Sequence, residues 1–154
     1  MRIGANLNHY KNQRSLTMPR IIAIDYGLKR TGLAVTDPLQ IIVSGLETID
    51  SKKLMDFLED YGKKETIDSF IVGYPFLDGA WGDSKFKKEL DSFIDKLRKK
   101  FPGQPVHLQD ERFSSVRAKE IILQSGRKKQ DRRDKRLLDK TSAIVILQEY
   151  LGHI

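Results

Sequence analysis

Four acids in this chain are placed where chemistry is possible: Asp25, Asp110, Glu111 and Asp139. Asp25 closes the run Ile21-Ile-Ala-Ile24, Asp110 and Glu111 close Val106-His-Leu-Gln109, and Asp139 precedes the apolar run Ala143-Ile-Val-Ile-Leu147. A charge at the rim of a core is costly unless something pairs with it. Carboxylates brought together raise one another's pKa, so a cluster of them calls for a cation. With no cysteine and only His9, His107 and His153 as imidazoles, an all-oxygen site suits a hard ion, Mg²⁺ or Mn²⁺. Such ions polarise a phosphoryl oxygen and activate water, and a pair roughly 3.5–4 Å apart can hold both oxygens of a phosphodiester displacement.

Each acid also has a simpler task available. Asp25, two residues before Gly27, can serve a turn. Asp110 or Glu111 can pair with Arg112 at the surface. Asp139 lies near a helix start, where the dipole favours an acid. Their joint placement speaks for chemistry more than any one does. Cations accompany them. Lys29 and Arg30 follow Asp25 and could hold a phosphate beside the metal. Arg127 to Arg136 carries seven cations against two acids, either a solvated loop or a clamp on a phosphate backbone through Arg127, Lys128, Lys129, Arg132 and Arg133. Trp81, the only tryptophan, can stack on a base or cap an edge of the core.

The elements that must position these residues follow from hydrophobic period and turn residues. Arg20–Asp25 is a continuous apolar strand, as in a strand covered on both faces. Thr31–Thr36 and Gln40–Ile49 read as two further strands, and connections this short favour antiparallel hairpins. Ser51 is expected to cap a helix to about Tyr61, stopped by Gly62. Ser69–Gly73 is a fourth strand, and 76–83 a loop. Ser84–Phe101 is an amphipathic helix with Phe86, Leu90, Phe93, Leu97 and Phe101 on one face. Pro105–Gln109 is a fifth strand, and Ser114 or Ser115 caps a helix ending at Gly126. A buried helix from about Lys135 to Leu151 closes the chain. The order β-β-β-α-β-α-β-α-α predicts an α/β fold with a five-stranded mixed sheet and helices on both faces. The acids at strand ends then lie where open α/β sheets place their ligands.

Composition bounds the function. The chain has 154 residues, of which 39% are hydrophobic and 32% charged: enough for one globular domain and short for two. No apolar run nears the ~18 residues of a membrane span, so no membrane partner is expected. The absence of cysteine excludes disulfides and thiolate chemistry and fits a reducing cytosol. A net charge of +7 favours a polyanionic partner, nucleic acid first. Residues 1–17 show no sustained apolar period and lack the apolar core of a secretory signal; they read as a loosely ordered extension, or as sequence upstream of a start at Met18, leaving 18–154 as the domain.

Four motifs then stand in order: Asp25-x-Gly27-x-x-Arg30-x-Gly32, Val72-Gly73-Tyr74-Pro75, Asp110-Glu111-Arg112-Phe113-Ser114-Ser115, and Asp139-x-x-x-Ala143 with Leu147-Gln148. Together they resemble the YqgF/RuvX family of the RNase H-like superfamily, over about Met18 to Leu151. The resemblance implies an RNase H-like fold and a cytoplasmic, metal-dependent nuclease, with the 5′ end of pre-16S ribosomal RNA or Holliday junctions, and so structured RNA or branched DNA, as substrates. It carries the catalytic role onto Asp25, Glu111 and Asp139, with these and Asp110 as metal ligands; which of Asp110 and Glu111 faces the metal stays open. Arg30, Arg112 and the basic segment would hold the backbone. Thr31 stands where the family usually has Ile or Val, Ser142 replaces a common Ala, and the loop after Pro75 is slightly short.

Two other classes compete. Asp-x-Gly after a buried first strand also opens actin-like kinases and chaperone ATPases, but their second lobe has no room in this chain. A non-catalytic RNA-binding module would leave the acids as turn and cap residues, and Mn²⁺ would then neither stabilise the protein nor support cleavage.

Overall fold

The computed structural model describes residues 19–76, 84–111 and 114–154, the side chains at 131 and 132 excepted. The expectations for residues 1–17, Trp81, Arg112 and the Arg132 side chain lie outside the described residues.

Five strands form one mixed sheet: β1 Arg20–Asp25, β2 Arg30–Thr36, β3 Val43–Asp50, β4 Ile67–Tyr74 and β5 Val106–Asp110. Their spatial order is β3-β2-β1-β4-β5. β1 is antiparallel to β2 and parallel to β4, and β4 is parallel to β5. The C-terminal ends of β1, β4 and β5 therefore point the same way, which gathers Asp25, Tyr74 and Asp110 along one rim.

Alternation along the strands sends apolar side chains to both faces. Ile22, Ile24, Leu33, Val35, Phe70 and Val72 face two helices, α1 Leu54–Lys64 and α2 Lys85–Lys100. From these helices Leu54, Leu58, Leu90, Phe93, Ile94 and Leu97 complete the larger core. Ile21, Ala23, Ala34 and Ile71 face α5, Lys135–Tyr150, through Ala143, Ile146 and Leu147. The small side chains of Ala23 and Ala34 let α5 lie close on the sheet. α3, Ser114–Gln124, packs on α5, and one helical turn, α4 Lys129–Arg132, joins them within the basic segment.

Three local expectations are corrected. Residues 40–42 are not strand: the Asp37 carboxylate accepts hydrogen bonds from the N–H groups of Leu39, Ile41 and Ile42 at 3.3, 2.7 and 2.7 Å, and Gln40 has φ 57°. A side chain that captures three backbone donors displaces the strand ladder. Gly62 does not stop α1, which runs to Lys64; a glycine inside a helix costs only ~1 kcal/mol against alanine, which the packed face outweighs. Ser51 does not cap that helix. It begins a 3₁₀ turn, Ser51–Lys53, and its hydroxyl donates to the Gly27 carbonyl at 2.5 Å. Ser84, by contrast, caps α2, accepting from the Lys87 N–H at 3.1 Å.

Candidate active site

Asp25 ends β1 opposite Gly32 of β2. Backbone and side-chain bonds fix the turn between them: the Ser51 N–H donates to the Lys29 carbonyl at 2.9 Å, and the Thr31 and Ser51 hydroxyls are 2.8 Å apart. Thr31 is fully buried, so the hydroxyl that distinguishes it from Ile or Val is satisfied inside the fold. A Cβ on Gly27 would meet the Arg30 carbonyl oxygen at 2.3 Å, so this turn closes only on glycine.

Glu111 follows β5. Its N–H reaches the Tyr74 carbonyl at 3.3 Å, and its own carbonyl accepts from the Ser114 N–H at 3.0 Å and the Ser114 hydroxyl at 2.9 Å. Ser114 thus anchors the start of α3 to Glu111 by donating, rather than capping by accepting. The Glu111 side chain turns inward over Gly73, where a Cβ would lie 2.7 Å from its Oε2.

Asp139 arrives on the second turn of α5, whose backbone sits directly on β2. A Cβ on Gly32 would lie 2.0 Å from the Asp139 carbonyl oxygen and 2.8 Å from the Lys140 nitrogen. The start of α5 is held by Asp134, which accepts from the Arg136 N–H at 2.9 Å, and by β3: the Thr48 hydroxyl donates to the Arg136 carbonyl at 2.6 Å, and Arg136 Nη1 to the Thr48 carbonyl at 2.9 Å.

The electrostatics show that these acids meet. The Asp25 carboxyl is pushed well above its ordinary range, first by burial, then by the charges of Glu111 and Asp139 and a hydrogen bond with Glu111. Burial also raises Glu111, with Asp110 repelling from beside it, while the bond to Asp25 acts the other way. Asp25 and Glu111 thus stand within each other's electrostatic reach, and burial disfavours the charged form of both. Burial raises Asp139 too, opposed by Arg30, whose Nε donates to its Oδ2 at 3.2 Å. Among the described residues no three acids or histidines stand close enough to hold an ion in this arrangement. The core of the site is the pair Asp25–Glu111, with Asp139 beside it on the Arg30 guanidinium.

The structure thus brings together Asp25, Glu111, Asp139, Asp110 and Arg30. Lys29 is exposed at the turn. Of the basic segment, Arg136 acts on Asp139, while other described cations line separate clefts. Arg127 lines a polar cavity against β3 with Glu47 and Thr48, and Lys129 and Arg133 line a cleft with Ile122, Leu123 and Leu138; Lys128 is exposed. Sequence reasoning placed Gly32 and Gly73 in motifs, Gly32 as part of a hairpin, but missed that the Asp139 backbone and the Glu111 side chain lie on them. The available signal was a glycine inside or at the end of a strand beside an acid, which marks close approach of another group.

The comparisons with known proteins agree with this geometry. The family model described as "RuvX: Holliday junction resolvase" matches residues 19–153. A protein of Phocaeicola vulgatus, provisionally named a pre-16S rRNA nuclease, is 48% identical over 134 residues, covering 87% of this chain and 96% of its own. A protein of Porphyromonas gingivalis with the same provisional name is 48% identical over 136 residues, covering 88% and 98%. Among solved structures, T. thermophilus RuvC in complex with a Holliday junction substrate aligns with a TM-score of 0.54 at 15% identity, over 87% of this chain and 96% of that one. That likeness concerns the fold, which is RNase H-like. The chain belongs to the RuvX family.

Proposed function

We propose that this protein is a metal-dependent nuclease that hydrolyses phosphodiester bonds in structured RNA, with the 5′ end of pre-16S rRNA as its substrate, in the cytoplasm. The observation that carries the chemistry is the meeting of Asp25, Glu111 and Asp139: three carboxyls from distant parts of the chain, each with its charged form disfavoured by burial. The donor set is all oxygen, as Mg²⁺ or Mn²⁺ requires, and Asp25 and Glu111 are the ligands the geometry favours first. Asp139 joins them if Arg30 turns to a substrate phosphate. Asp110, next to Glu111 in sequence, is the remaining candidate ligand.

A divalent ion bound here would supply a Lewis acid for the phosphoryl group and lower the pKa of its water. The chain's residues do the rest. Asp25 and Glu111 would hold that ion through their carboxylate oxygens in the ionised form, which the ion's charge favours over the buried neutral acid. Arg30 is poised to exchange a carboxylate for a phosphate, since the planar guanidinium fork can bond two oxygens of either group. The turn locked by Ser51 and Thr31 holds Asp25 in place during this exchange. Lys29, Arg112 and the cations of the basic segment contribute backbone attraction without sequence reading.

The substrate comes from the relatives, whose provisional name is pre-16S rRNA nuclease. A second reading, cleavage of four-way DNA junctions, is favoured by the description of the matching family model. The Asp25→Asn variant is expected to abolish Mn²⁺-dependent cleavage while binding RNA as well as or better than the parent. Unchanged cleavage would remove Asp25 from the mechanism. Offering the parent a precursor rRNA end and a four-way junction in parallel decides between the substrates.

A further inference from the structure

A groove of about 460 Å³ opens one residue beyond Asp25, on the sheet face opposite α5. Its floor is Tyr26, Leu54, Met55 and Phe93, with the Tyr26 and Phe93 rings stacked at 4.9 Å and 13°. Lys52 from the 3₁₀ turn, and Lys85, Lys88 and Lys96 from α2, stand along its walls against a single acid, Glu89. Lys85 is engaged with that acid at 3.7 Å, which leaves Lys52, Lys88 and Lys96 as exposed cations facing the groove. The wall and the catalytic turn form one unit, because Ser51 bonds to Gly27, Lys29 and Thr31.

Cations on the walls above an aromatic and apolar floor are the combination that binds single-stranded nucleic acid: charge tracks the backbone, and ring faces take unpaired bases. A duplex offers phosphates but no free base face to such a floor. We infer that the α1–α2 groove is the track for a single strand that leaves the acids, with Lys52, Lys88 and Lys96 on its phosphates and Tyr26 under its first unpaired base. The inference rests on the nuclease reading for its direction, from Asp25 outward, but not for its binding chemistry. It assigns the substrate a single-stranded segment next to the scissile bond. It also gives a role to a face that neither the basic segment nor Arg30 serves.

The test is the salt dependence of binding by a fluorescent single-stranded RNA in EDTA, where nothing is cleaved. Each lost phosphate contact lowers the log K against log salt slope by about 0.7 for a single strand. The Lys52→Gln/Lys88→Gln/Lys96→Gln variant should therefore lose about 2 from the slope. The control Lys63→Gln/Lys64→Gln/Lys99→Gln, with the same change in net charge, should stay near the parent. Equal slopes for the two variants would overturn the groove, as would an equal loss of affinity for a blunt duplex of the same sequence. A matching single-stranded DNA separates backbone charge, which both strands share, from recognition of ribose. A parent that binds through the groove yet never cleaves with Mn²⁺ would refute the nuclease reading and leave the groove standing. A cleaving parent whose groove variant binds normally does the reverse.

Discussion

Gly32→Ala is the substitution that best tests how the acids are brought together. The added Cβ would lie 2.0 Å from the Asp139 carbonyl oxygen, 2.3 Å from its carbon and 2.8 Å from the Lys140 nitrogen. All three are helix backbone, so no side chain can swing aside. Ordinary contact begins at 3.4 Å, so the first turns of α5 must retreat by about 1.4 Å, the difference between 3.4 and 2.0. Overpacking of this kind costs ~1–3 kcal/mol. In a domain of this size each kcal/mol moves the melting temperature by about 2–4 °C, so a fall of about 2–12 °C is expected. Asp139 moves with the helix, and a displacement near 1 Å at a reacting centre can cost about 10²-fold in rate. Cleavage should therefore fall in kcat, with RNA affinity in EDTA nearly unchanged. Gly45→Ala is the matched control: its Cβ would meet only the Lys140 side chain at 2.7 Å, a flexible chain that can move away, so stability should stay within ~0.5 kcal/mol. A Gly32→Ala protein that melts and cleaves like the parent would refute the close approach of α5 and the placement of Asp139 that depends on it.

Two further outcomes are expected. The folded state raises the Asp25 and Glu111 carboxyls above their ordinary values of 3.8 and 4.5, so it holds protons that the unfolded chain has released. Their contribution is complete below those values and is lost as pH rises through the raised ones. Melting curves in EDTA should thus show the parent losing stability above about pH 4 relative to Asp25→Asn, and the stabilisation by Mn²⁺ should grow with pH over the same window; parallel pH profiles for parent and variant would sink this account. Arg30→Gln removes the cation held 3.2 Å from Asp139. Because both partners are partly solvated, stability should fall by less than about 1 kcal/mol, while Mn²⁺-dependent cleavage falls at least tenfold; a rate equal to the parent's would show that Arg30 only balances Asp139.

The placement of three acids was readable because each is marked locally. Asp25 ends an apolar run, Glu111 follows a short strand, and Asp139 precedes a stretch that can only be buried. These are statements about period and position, which adjacent residues carry. What was not readable is who meets whom. Arg30 was expected on a phosphate, yet in the fold it donates to Asp139, 109 residues away. Ser51 had the composition of a helix cap, but tertiary contact with Gly27 and Thr31 claimed its hydroxyl. Gly32 fitted a hairpin, and nothing near it in sequence says that a helix backbone will lie on it. Ile41 and Ile42 carry strand propensity, and the Asp37 carboxylate overrode it. The basic segment was legible as charge, but its division between two grooves depends on how α4 and α5 are packed.

The fastening of α5 has a consequence for how the protein comes into being. Its bonds to the rest of the molecule span long stretches of chain: 88 residues from Arg136 to Thr48 and 109 from Asp139 to Arg30. During synthesis the N-terminal part of a chain emerges first, so all five strands and Asp25 leave the ribosome before the helix that brings Asp139. Until that helix docks, Ile21, Ala23, Ala34 and Ile71 lack the cover they have in the finished domain. A chain without docked α5 has Asp25 and Glu111 without Asp139, and an uncovered apolar face of the sheet. Docking of α5 covers one face of the sheet and sets Asp139 beside Asp25 in a single event, so core and acid cluster are completed together.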